Sequence, residues 1–216
     1  METQPVIERV LGYAIRILPP PIPLGDLGLS WISVSIDTDF WPAMIDPIQS
    51  RGAVCPFPEL WPDLSEALSN YDSLTGQVLV AITLPYFQGC EEENGYRDFV
   101  RMTEGFGPTG EEDSSWIDAR PVLTSADEKW IRMGYDISYA GAFKSMLLAQ
   151  DADSRWGMDI SGKRTQFGLF ESFWEAHAYS ASECKKGLRA GWPIEETRLW
   201  PLALWLINDE KLRLTT

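Results

Sequence analysis

The 216-residue sequence holds one histidine, His177, and only three cysteines, Cys55, Cys90 and Cys184. A lone histidine excludes a histidine-rich metal site and leaves acid–base chemistry to carboxylates, lysine, tyrosine or cysteine. Three widely separated cysteines suit neither a disulfide framework nor a paired-cysteine zinc motif; they fit free thiols in a reducing compartment. The sequence lacks the roughly 20 consecutive apolar residues that a membrane-crossing helix requires. The first 18 residues carry Glu2 and Glu8, have no basic n-region and run into Pro19-Pro20-Pro21 without a small-residue cleavage signal. A cytoplasmic protein is therefore expected. Also missing are a G-x-S-x-G elbow, an H-E-x-x-H helix and a Walker loop. These absences point to a binding protein and not an enzyme, with no cofactor and no catalytic or metal-ligating residue.

Positive charge is scarce as well. The chain has 32 acidic and 18 basic side chains, a net charge of −14. Residues 1–128 contribute 21 acidic and 6 basic groups, whereas residues 129–216 contribute 11 and 12, so the acidity belongs to the first part. Such a field repels nucleic-acid phosphates and anionic lipid, because binding them relies on Lys and Arg. It attracts a basic protein and speeds encounter with it, and it also serves solubility alone. The apolar fraction of 44% is ordinary for a folded domain, and ten tryptophans supply area for a core or an interface.

The pattern along the chain predicts one α+β domain over residues 1–216, with a mainly antiparallel sheet and helices packed on one face. Val6, Ile7, Val10, Leu11, Ala14, Ile15 and Leu18 recur at helical steps, and Pro19 to Pro23 then form a rigid connector. Leu29 to Asp37 alternates as a strand, residues 38–63 are proline-punctuated but aromatic, and Asp63 to Asn70 suits a short helix. Gln77 to Leu84 is a β-branched run that reads as a central strand ended by Pro85. Residues 87–118 form an acidic, glycine-bearing loop region, with a helical stretch from Asp98 to Thr103. Trp130 to Ser138 reads as a strand, followed by a helix from about Tyr139 to Gln150. Phe167 to Lys186 is a helix whose stripe is Phe170, Phe173, Trp174, His177, Ala181 and Cys184. Gly187 or Gly191 ends it, and Arg198 to Ile207 is a last strand that Pro201 marks as an edge or a bulge.

Several weaker patterns have simpler explanations. Cys184 lies two helical turns beyond His177, too far along the axis for a thiol–imidazole pair. Glu171 and Glu175 fall away from the His177 face, so a packed histidine is expected there. Asp37 with Asp39, or Asp151 with Asp153, are carboxylate pairs in a chain where carboxylates abound. Gly105, Gly107 and Gly110 satisfy G-x-G-x-x-G, but Pro108 interrupts the loop and acidic residues follow where a pyrophosphate would sit.

The segment Trp130-Ile-Arg-Met-Gly-Tyr-Asp-Ile-Ser138, with the stretch after it and Phe167-Gly-Leu-Phe170, resembles small cytosolic bacterial immunity proteins. The resemblance covers the C-terminal part of the chain. It implies a noncatalytic protein that binds one cognate toxin of an interbacterial system and prevents self-intoxication. The partner-binding candidates are Glu91, Glu92, Glu93, Glu111, Glu112 and Asp113, whose carboxylates would face a basic toxin surface; an acidic loop that only aids solubility is the plainer reading. For Gly134, Tyr135 and Asp136 the expected role is a strand end whose tyrosine packs and whose carboxylate caps the next helix. A carboxylate-dependent hydrolase and an acidic prophage protein that mimics nucleic-acid charge are the alternatives.

Overall fold

The computed structural model describes residues 4–17, 60, 61, 63–71, 77–104, 118, 120–124, 130–139, 142–145, 165, 167, 169–191 and 199–207. In chain order the elements are strand β1 (Ile7–Ile17), helix α1 (Leu64–Asn70), strand β2 (Gln77–Tyr86), helix α2 (Asn94–Glu104), strands β3 (Trp130–Tyr139) and β4 (Ala142–Ser145), helix α3 (Phe173–Arg189) and strand β5 (Leu199–Ile207). The strands form one sheet in the order β1-β2-β5-β3-β4, with every neighbouring pair antiparallel. The architecture is α+β. Helices α2 and α3 share the large core with the sheet through Tyr96, Phe99, Val100, Phe173 and Ala176, while α1 contributes Ala67 to a second cluster with Tyr13, Ile15 and Leu79. Among the described residues no helix is long and apolar enough to cross a membrane.

The segment read as a helix over Val6 to Leu18 is instead strand β1. Its register against β2 slips at Leu11, between the pairs Val10–Thr83 and Gly12–Ile82. This bulge puts Glu8, Val10, Tyr13 and Ile15 on one side of the strand, opposite Pro85, Thr83, Ala81 and Leu79. The resulting step of three imitates a helical period, and burial of all residues from Val10 to Ile15 erases the alternation that would reveal a strand. The helix expected from Tyr139 to Gln150 is replaced, over Ala142–Ser145, by β4 pairing with β3. Asp136 therefore caps no following helix; it is fully buried and its carboxylate accepts from the Ile137 N–H at 2.7 Å. The expected connector at 19–23, the strand at 29–37 and the glycine-rich stretch at 105–110 lie outside the described residues.

Other expectations hold with shifted bounds. Helix α1 is capped by Asp63, which accepts from the Ser65 and Glu66 amides; the Ser65 hydroxyl bond and these amide bonds hold its carboxyl below the usual range. Helix α3 begins at Phe173 and not Phe167, because Phe170 pairs its backbone with Tyr135 beside β3. Gly191, with φ +72°, terminates α3 just past the Ala190 cap, and Lys186 and Arg189 sit at the negative end of the helix. Gly134 marks a second register slip, in β3, at φ +142°; a Cβ there would lie 2.6 Å from the Leu169 Cβ.

Pro85 does not end β2, and Pro201 does not mark an edge strand, since β5 lies between β2 and β3. Both prolines lie beyond the last β2–β5 pair, Thr83–Ala203, where each strand keeps one paired neighbour: Pro85 opposite Glu8, Pro201 opposite Ile137. A missing N–H is tolerated where one ladder has stopped. The strands part there, and the buried indole of Trp200 donates to the Pro85 carbonyl at 2.9 Å.

Glu8 is 5% exposed, and its carboxylate accepts from four side chains of three other strands. Its Oε2 accepts from the Thr83 hydroxyl at 2.6 Å and the Trp205 indole at 2.7 Å. Its Oε1 accepts from Arg132 at 3.0 Å and the Tyr135 hydroxyl at 3.3 Å. The Arg132 guanidinium lies over the Trp205 and Tyr135 rings, 4.4 and 5.3 Å from their centroids. Burial, then the negative charge of Glu8, pushes the Tyr135 phenol up, so it stays protonated and donates.

Removing this carboxylate takes an acceptor from four donors: half-exposed Arg132 can regain water and the Trp205 indole keeps the Thr83 hydroxyl oxygen at 3.2 Å, which leaves the buried Thr83 and Tyr135 hydroxyls to bear the loss. Glu8→Ala should lower unfolding stability by about 2–4 kcal/mol, and Glu8→Gln, which keeps one acceptor oxygen, by less. Urea denaturation checks this; a loss under about 0.5 kcal/mol for Glu8→Ala would show that the donors are satisfied without Glu8.

Candidate functional site

Where β2 and β5 part, an aromatic group closes the gap. The Phe87 ring lies 6.3 Å from Trp200, 6.1 Å from Phe173 and 5.0 Å from Trp174, centroid to centroid. His177, four residues beyond Phe173 on α3, enters the same group at 5.6 Å from Phe87, 5.6 Å from Phe173, 5.9 Å from Trp174 and 5.3 Å from Trp200. The helical period brings Phe173, Trp174 and His177 to one flank. Of the stripe read in the sequence, Phe173, Trp174, His177, Ala181 and Cys184 lie on α3 while Phe170 precedes it in a bridge to Tyr135, and the most deeply buried line of α3 runs through Phe173, Ala176, Ser180, Glu183 and Gly187.

Directly after Phe87 the chain makes a compact acidic turn. Gly89 turns the backbone, a short 3-10 helix covers Cys90–Glu92, and Glu93 precedes α2. The Cys90 amide donates to Phe87 O at 3.1 Å, the Glu92 amide to Gly89 O at 3.2 Å and the Glu93 amide to Cys90 O at 2.9 Å. The Cys90 side chain is fully buried and pins the turn to the core, while Glu91 and Glu92 project into water. Glu91 also accepts from the Gly89 amide at 3.1 Å. Glu93 points the other way: its Oε2 lies 2.6 Å from His177 Nε2.

Of the six carboxylates expected to face a partner, the structure thus gathers Glu91, Glu92 and Glu93 on one turn. Glu111, Glu112 and Asp113 lie outside the described residues. The acidic region read as a loop is, over residues 87–104, a turn followed by α2, which starts four residues before the expected Asp98. His177 is the packed histidine that its stripe implied, and Glu171 and Glu175 are exposed away from it. Its bond to Glu93 bridges 84 positions and had no local signal.

Cys184 is half-buried on α3, and burial raises its thiol; burial also pushes the Cys90 thiol up to about 11. Glu183 is buried and pairs with Lys186 at 2.5 Å. Among the described residues no three His, Cys, Asp or Glu side chains are grouped to hold a metal ion.

Both raised thiols remain protonated at neutral pH, since a thiolate forms only as pH approaches the raised value. Alkylation by iodoacetamide at pH 7.5 should label Cys90 and Cys184 at least about tenfold more slowly in the native protein than in urea. Mass spectrometry of the labelled peptides reads this directly, and equal rates would show that the thiols are not held in the core. No protein-family model, curated protein or solved structure matches this chain.

Proposed function

We propose that this chain is a noncatalytic immunity or inhibitor protein of the bacterial cytoplasm that binds and neutralises a cognate protein toxin through an acidic surface. The observation that carries the reading is the turn at Glu91 and Glu92: two exposed carboxylates on a backbone fixed by three hydrogen bonds and a buried cysteine. A backbone already held in place loses little conformational freedom when a basic surface meets its carboxylates. The net charge of −14 would further steer such a partner toward the chain. By contrast, Glu8, Glu93 and Glu183 are drawn inward onto side-chain donors of the protein, whereas Glu91 keeps only an exposed contact with the Gly89 amide, which favours display of the outward carboxylates over their convergence on a reacting bond.

A toxin encoded next to this chain should be lethal alone and tolerated when both are expressed. Glu91→Lys with Glu92→Lys should abolish that protection, slow association at least about tenfold and flatten its salt dependence, with thermal stability unchanged. Full protection by the reversed variant would remove this turn from the interface. Failure of the native chain to protect against, or to bind, the neighbouring product would remove the function.

A further inference from the structure

The three consecutive glutamates of the turn do not do the same thing. We infer that Glu93 is not a partner contact but the anchor of the turn, and that His177 is the positioning residue that holds it, so that only Glu91 and Glu92 are presented outward. The two ends of this tether belong to parts of the chain that are 84 residues apart. Glu93 lies at the junction of the 3-10 turn and α2, and His177 lies on the second turn of α3.

The geometry fits an anchor. The imidazole is 17% exposed and ringed by Phe87, Phe173, Trp174 and Trp200, so its rotation is restricted and Nε2 is aimed at one place. Nε2 carries a proton in the imidazolium and in one neutral tautomer, so it can donate to the carboxylate in either charge state. Glu93 uses its backbone as well: its amide closes the 3-10 turn on Cys90 O, and its carbonyl accepts from the Arg97 amide at 3.0 Å in the first turn of α2. Fixing this one side chain therefore fixes the end of the turn and the start of the helix together. Glu91 and Glu92, one and two residues earlier, inherit that orientation. A bond of this kind, with an ionised acceptor and partial burial, is stronger than a neutral one.

The tether itself needs no partner; its consequence for inhibition rests on the proposed function. Hydrogen–deuterium exchange of the turn amides in the isolated protein tests the tether. His177→Phe keeps a ring among the four aromatics but removes the donor, and should speed exchange at Glu92 and Glu93 roughly ten- to a hundredfold, leaving β5 amides unchanged. His177→Gln, whose terminal amide restores a donor of similar reach, should return exchange toward the native rate. Glu93→Ala should reproduce the His177→Phe effect, and the double variant should add nothing further. Glu93→Ala alters a side chain already 37% exposed, so it carries the test if His177→Phe fails to fold. Unchanged exchange in both single variants, or additive effects in the double, would overturn the tether. A loosened turn with unaltered toxin affinity would instead uphold it and remove this turn from the interface.

Discussion

A carboxylate withdrawn from water costs several kcal/mol unless donors surround it, and Glu8 meets its donors only when four strands are already in register. They come from β2, β3 and β5, at sequence separations of 75, 124, 127 and 197 residues. The first and last strands of the described chain are thereby joined through one side chain. A slip of β1 by one residue would turn Glu8 to the opposite side of the sheet, where Ile82 and Leu84 belong to the apolar core. The bulge at Leu11 and the slip at Gly134 serve the same arrangement, since they set which residues of β1 and β3 share a face with Thr83 and Trp205. The assembly is non-local throughout, which implies slow closure of the sheet relative to the formation of its helices.

The prolines extend this logic to the site. Pro85 lies opposite Glu8, so the register that satisfies the buried carboxylate also decides where β2 loses its β5 neighbour. Trp200 and Phe87 occupy that parting, and α3 delivers Phe173 and His177 to it. The acidic turn follows Phe87 by two residues and is anchored by Cys90 in the same core. Its position on the surface is thus a consequence of strand pairing and aromatic packing, not of its own charge.

What was legible in the sequence follows from how local each signal is. Gln77 to Leu84 and Trp130 to Ser138 are strands in their own composition, and the short helix after Pro62 begins where Asp63 can cap it. β1 was hidden because a bulge and burial on both faces remove the period of two, leaving spacings that a helix shares. β4 was hidden because a four-residue strand draws its stability from β3. Among the described residues, the tryptophans that composition left undecided divide between roles: Trp61 and Trp200 are buried, while Trp130, Trp174 and Trp205 are partly exposed against the core. Of the site, the acidic run at Glu91 to Glu93 was visible, but its division into outward and inward members was not, because the inward one is defined by a histidine 84 residues away.

Glu8 and Glu93 show the same chemistry at two depths. Glu8 is enclosed, has four donors and ties strands together, and it has no contact to offer a partner. Glu93 is half-exposed, has one side-chain donor in His177 and ties a turn to a helix. In each case an aromatic surround holds the donor: Trp205 and Tyr135 under Arg132, and Phe87, Phe173, Trp174 and Trp200 around His177. Rings restrict a cationic or imidazole donor without competing for its hydrogen bond, and they screen the bond from water, which strengthens it. In a chain with a surplus of negative charge, inward carboxylates need such donors, and the 18 basic side chains cannot neutralise all 32 acidic ones. Most of the carboxylates left without a counterion must face water, and a turn held by its backbone from Gly89 to Glu93 gives part of that electrostatic surplus a defined place on the surface.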